Sequence, residues 1–214
     1  MPSLRFEVES VTSMPESATP VLLFRLRIFN TPAEEQIHSI SLNVQLQIQP
    51  GRRHYAPAEQ SAMNDLFGEP ARWSTTLRPL FWTSASATVP GFAGSTIVDL
   101  RVPCTFDFNV AATKYFHGVQ EGEIPVALLF NGTVFYISDN AIQVALIPWS
   151  QETSCRVSAG AWKEMMARHY PDSSWLSLQH EAFERLYRYK VQHGLPTWEQ
   201  TVDHVLAAAS ERKP

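Results

Sequence analysis

Five large aliphatic residues, Ile40, Leu42, Val44, Leu46 and Ile48, alternate without interruption with Ser41, Asn43, Gln45, Gln47 and Gln49. A period of two places every second side chain on the same side of an extended chain, so residues 40–49 predict a strand with one buried and one wet face. A helix would scatter the same five residues around its axis. A strand buried on both faces would not carry so many neutral polar side chains. Pro50-Gly51 closes the segment, and its apolar face demands neighbours of the same kind.

Those neighbours are legible on both sides. Residues 4–11 set Leu4, Phe6 and Val8 against Arg5, Glu7 and Glu9, and residues 21–29 set Leu22, Phe24, Leu26 and Ile28 against Arg25 and Arg27. Thr96, Val98, Leu100 and Val102 repeat the rhythm, and residues 104–109 put Cys104, Phe106 and Phe108 on one side. Residues 124–130 and 133–138 flank Asn131-Gly132, a dipeptide suited to the positive φ angles of a two-residue hairpin turn. Asp139-Asn140 turns again, and residues 142–147 supply the last strand before Pro148-Trp149. Strands of this length with short links predict a mainly β fold, an antiparallel immunoglobulin-like β-sandwich over residues 1–150. Residues 50–94 are expected to form a long inserted flap, with a short helix at 57–68 and an apolar cluster of Trp73, Leu77, Leu80, Phe81 and Trp82. Residues 110–117 fit a short helix and a strand almost equally well.

Beyond residue 150 the pattern turns helical. Trp162, Met165, Met166 and His169 fall at helical spacing over 161–170, ahead of Pro171. Residues 175–193 carry the stripe Phe183, Leu186, Tyr187 and Lys190, with Gly194 as the stop. Thr197-Trp198-Glu199-Gln200 has the form of a capping box opening a last helix to about Ala209. Residues 151–214 are therefore expected to be a C-terminal segment of three helices packed on the sandwich.

The chemistry is sparse. A net charge of −4, with equal numbers of acidic and basic residues after position 150, lacks the basic excess that nucleic-acid backbones require. No apolar run approaches the roughly 18 residues of a membrane span. The start, Met1 to Phe6, alternates like a strand instead of forming the apolar core of a signal peptide, and two cysteines fit a reducing cytoplasm. Seven histidines include no HxH, HxxxH or HExxH pair; His169, His180, His193 and His204, on successive helices, are the one set able to converge. Cys104 reads as a buried thiol. Cys155, beside Arg156 and ahead of a helix start, has the neighbours that favour a thiolate. Asp99 and Asp107 lie on adjacent predicted strands. There is no GxSxG and no glycine-rich phosphate loop. No catalytic residue, metal ligand or cofactor is expected.

What remains is surface. Trp73, Trp82, Trp149 and Trp198 fall in connections or at element starts, and with Phe81 they form the candidate protein interface. Their alternative role is to seal the core. A metallochaperone or enzyme using Cys155 or a histidine cluster is the competing functional reading.

Several strings carry a family likeness: Leu66-Phe67-Gly68-Glu69-Pro70-Ala71-Arg72-Trp73, Leu77-Arg78-Pro79-Leu80-Phe81-Trp82 and Val102-Pro103-Cys104-Thr105-Phe106-Asp107-Phe108. Lys114-Tyr115-Phe116-His117 and Gly132-Thr133-Val134-Phe135-Tyr136 complete the set. Together they resemble an uncharacterised bacterial domain-of-unknown-function family, whose genes occur beside some nickel-iron hydrogenase genes of aerobic soil bacteria. The resemblance covers nearly the whole chain and transfers no activity. It implies a cytoplasmic accessory with a protein partner, a hydrogenase subunit or maturation factor.

Overall fold

The computed structural model describes residues 1–104, 110–171, 176 and 178–210. The fold is mostly β, with two antiparallel sheets and six α-helices among the described residues. The strands are β1 (Ser3–Ser13), β2 (Val21–Thr31), β3 (Ile37–Ile48), β4 (Leu80–Val89), β5 (Ser95–Pro103), β6 (Glu123–Ser138), β7 (Ala141–Leu146) and β8 (Glu152–Ser158). The helices are α1 (Pro57–Phe67), α2 (Trp73–Thr76), α3 (Val110–Gly118), α4 (Ala159–His169), α5 (His180–Gln192) and α6 (Trp198–Ser210). The chain divides into two compact units, Met1–Ser173 and Ser174–Pro214. The boundary falls after α4 rather than at residue 150, because β8 pairs with β6 and α4 packs on α3, β1 and β8.

In the first unit one sheet has the order β1-β2-β5, and the other runs β4-β3-β6-β7 with β8 also on β6. The aliphatic row of β3 is fully buried, as its alternation requires, and β4 and β6 flank it. Both sheets contribute to one core. Phe6 of β1 stacks on Phe130 of β6 with 4.0 Å between ring centroids, and Phe24 of β2 meets Trp82 of β4 at 6.2 Å.

Three expectations change. Asn131-Gly132 is no hairpin: β6 runs straight through it for 16 residues. Gly132 takes φ 145°, and a Cβ there would stand 2.1 Å from the carbonyl oxygen of Ser41 on β3. The glycine serves a close approach of two backbones, not a turn. The turn is Asp139-Asn140, where φ values of 51° and 57° join Ser138 to Ala141. Second, the latter part of the expected flap is β4, a true sheet strand. Third, β8 follows the strand expected to be last. β7 and β8 lie in succession along the same side of β6, on its residues 133–138 and 123–129. The expected strand at 104–109 lies, after Cys104, outside the described residues, as does Trp175 at the expected start of α5.

The remaining connection, residues 49–79, is pinned by a buried ion pair. Arg53 donates through Nη2 to Glu59 Oε1 at 2.5 Å and to the carbonyl of Glu121 at 2.8 Å, and through Nη1 to the carbonyl of Glu123 at 2.9 Å. Glu59 also accepts the N–H groups of Gln120 and Ala56. Burial opposes its ionisation, but those N–H groups and the Arg53 charge outweigh burial and hold the carboxyl below its ordinary range. Tyr55 Oη donates to Pro50 O at 2.9 Å and sits 2.7 Å from Tyr115 Oη of α3.

The second unit is a helix pair. Gly194, at φ 63°, ends α5, and Leu195 N–H bonds back to Lys190 O at 3.0 Å. Thr197 Oγ1 accepts the N–H of Gln200 at 3.2 Å, capping α6 as its sequence requires. Tyr189 Oη lies 2.7 Å from His204 Nδ1 and joins the two helices.

Candidate functional site

The first unit sorts its aromatic candidates into core and surface. Trp82 points inward from β4, only 6% exposed, and its ring lies 4.9 Å from that of Phe116. Trp73 is half-buried at the start of α2. Its Nε1 donates to Gly68 O at 2.8 Å, and the edge of Tyr55 meets it at 5.2 Å. Indoles with a satisfied N–H and covered faces seal a core instead of meeting a partner. Phe81 alternates outward beside Trp82 and is exposed. Trp149, in the link between β7 and β8, is 100% exposed. Trp198 belongs to the second unit, at the start of α6.

Two apolar surfaces emerge that the candidate set only touches. On β7, Ile142, Val144 and Leu146 form one outward row, 57%, 59% and 72% exposed. They stand opposite Ile137, Phe135 and Thr133 of β6, so half-buried Phe135 and Ile137 extend the row inward along the sheet. Ala145 and Ile147 fill the core side. On the helix pair, Phe183, Tyr187 and Val191 of α5 and Trp198, Val202 and Leu206 of α6 are exposed. The rings of Phe183 and Tyr187 lie 5.3 and 6.3 Å from that of Trp198, and Lys190 Nζ sits 5.8 Å from the same ring.

The titratable groups are largely engaged in structure. Burial pushes the thiols of Cys104 and Cys155 both up to about 12. For Cys155 this reverses the expected thiolate. The residue faces inward from β8, while Arg156 points to the other side, 3.8 Å from Glu123. His169 in α4 sets its ring nitrogens 2.9 and 3.0 Å from the carbonyl oxygens of Met165 and Ser17. His117 stands edge-on to Trp162, and burial with the nearby Lys163 charge lowers its pKa. Of the four helix histidines, His193 and His204 do approach, with 4.9 Å between centroids. Asp99 of β5 faces Arg25 of β2, and Asp107 lies outside the described residues. Among the described residues no three His, Cys, Asp or Glu side chains are grouped to hold a metal ion. Nor is any described helix long and apolar enough to cross a membrane.

A family profile described as a family of unknown function (DUF6084) matches residues 1–214. The chain belongs to this family. No curated protein matches its sequence. Among solved structures, the solution structure of a candidate late embryogenesis abundant (LEA) protein aligns over 74% of this chain and 71% of its own, at 14% identity and a TM-score of 0.33. That likeness is too distant to inform fold or role in DUF6084.

Proposed function

We propose that the chain is a non-catalytic protein-binding or assembly accessory of the cytoplasm, and that its partner is a hydrogenase subunit or maturation factor. The observation that carries this reading is the pair of open stripes on the helical unit. Phe183, Tyr187 and Val191 recur every four residues, as do Trp198, Val202 and Leu206, a spacing that gathers each set on one helix face. Contiguous apolar surface of this kind concentrates at interaction sites. Helices laid into a partner's groove use such anchors, and aromatic residues dominate their energetics. The choice of partner rests on the genomic setting of the family the sequence resembles. Two unpaired thiols agree with a reducing compartment. For the architecture, we propose an immunoglobulin-like β-sandwich with α4, α5 and α6 as its C-terminal helices. The aromatic contacts between β1 and β6 and between β2 and β4 support two facing sheets.

The test is co-purification. Tagged full-length chain from cells making the hydrogenase should carry a hydrogenase subunit or maturation factor, and the double variant Phe183→Asp, Trp198→Asp should lose it. Recovery of neither protein, or recovery indifferent to the double variant, defeats the reading. Metal analysis of the same preparation addresses the competing one: a stoichiometric ion would favour a metallochaperone or enzyme using Cys155 or His193 with His204.

A further inference from the structure

We propose that β7 is a self-pairing edge, and that two copies of this chain join through antiparallel β7 strands about a two-fold axis at Val144. The inference is independent of the partner reading, which rests on the helical unit.

β7 ends its sheet, with β6 as its paired strand. Its six residues, Ala-Ile-Gln-Val-Ala-Leu, include no charge and no proline, and its register against β6 is unbroken. Charge, proline and a bulge are devices by which edge strands are kept from pairing, and β7 carries none of the three.

The hydrogen-bond phase identifies what the edge offers. Ile147 N–H bonds to Gly132 O at 3.0 Å. Alternation along the ladder then directs the backbone groups of Ala141, Gln143 and Ala145 to β6, and those of Ile142, Val144 and Leu146 to the free side. An antiparallel copy can use them only where outward residues oppose outward residues. The register centred on Val144 does this for all of them at once: Ile142 opposite Leu146 of the second copy, Val144 opposite Val144, Leu146 opposite Ile142. Registers displaced to Gln143 or Ala145 lose a pair.

The side chains agree with the backbone. The three outward pairs in that register are aliphatic on aliphatic, Gln143 falls opposite Ala145, and no like charges are brought together. Taking about 100 Å² for each aliphatic side chain, Ile142, Val144 and Leu146 bring on the order of 300 Å² of exposed apolar surface per copy. Strand pairing covers part of that surface and leaves the rest on the face of the continued sheet, so the paired backbone groups carry the contact and the aliphatic row adds to it. A strand from an unrelated protein would need the same pattern; a second copy supplies it by symmetry.

The experiment uses the full chain. Light scattering across a concentration series should show the mass rise from one chain to two, and Val144→Lys should stay at one chain with an unchanged circular dichroism spectrum. Val144→Cys tests the register. Residues opposed in a hydrogen-bonded pair have Cα atoms about 5.5 Å apart, within disulfide reach. Mild oxidation should therefore cross-link Val144→Cys at least tenfold faster than Gln143→Cys or wild type. A wild-type monomer at every concentration overturns the proposal. So does a dimer that survives Val144→Lys, or equal cross-linking of the two cysteine variants.

Discussion

β1 and β7 both border open sheets, and they meet water in opposite ways. β1 carries Arg5, Glu7 and Glu9 on its outward row and breaks register between Val8 and Ser10. Arg27 of β2 reaches Glu9 at 2.5 Å, Arg25 lies 3.6 Å from it, and Arg25 faces Asp99 across the next ladder. Charge and bulge together make that side a poor template for another strand. β7 has a continuous register and an aliphatic outward row. A chain with 18% charged residues places none in this strand. Edge protection is thus set strand by strand: β4, the opposite edge of the β7 sheet, also lacks charge, but its ladder with β3 shifts register between Leu46 and Gln47, whereas that of β7 is unbroken.

The contrast can be broken most severely at its base. Gly132→Val should cost about 4 kcal/mol or prevent folding, because any side chain there collides with the β3 backbone and β7 hangs on the same strand. Denaturant melts would reveal it. Next, the exposed charges of β1 invite comparison with a buried pair. Glu59→Ala should cost about 3 kcal/mol, since it strands the Arg53 guanidinium inside the fold. The Glu59 carboxyl is held below its ordinary 4.5, so its contribution is whole above that pH and fades as pH falls through the lower folded value. The stability gap between wild type and Glu59→Gln, followed by melts against pH, should close in acid.

Smaller effects sharpen the comparison. Glu7→Val with Glu9→Val should cost less than about 1 kcal/mol, because exposed ion pairs contribute little. It should nonetheless give β1 the character of β7, visible as concentration-dependent scattering. Ile142→Lys should change stability by no more than about 0.5 kcal/mol in the monomer, as that side chain is already in water. A larger loss would mean that the β7 row is covered after all.

The sequence exposed the strands whose inward residues are large and hid those whose inward residues are small. β3 and β2 announce themselves through Ile, Leu and Phe. β4 turns Ala85 and Ala87 inward between polar neighbours, and β8 offers only Val157 as a large buried side chain. Size is no guide to the faces of β7, where Ile142, Val144 and Leu146 are the larger row. The structure buries Ala145 and Ile147 and leaves the larger row out. Asn131-Gly132 and Asp139-Asn140 both read as turns, only the second is one, and local propensity cannot see that β3 passes within contact of Gly132. Phe183 and Tyr187 of the α5 stripe are readable from helical spacing, whereas Trp198 stands out as an aromatic residue at an element start and its stripe with Val202 and Leu206 is visible only in the structure. Trp82 was not separable from an interface residue until its neighbours Phe24 and Phe116 were placed.

Because β6 is bordered on one side first by β8 and then by β7, a single strand holds two zones of amide protection. Peeling β7 away opens alternate N–H groups of residues 133–138 to deuterium, while those of 123–129 stay shielded under β8. Trp149 stands at the joint between the zones, a built-in fluorophore for watching one end of a strand fray as the other holds.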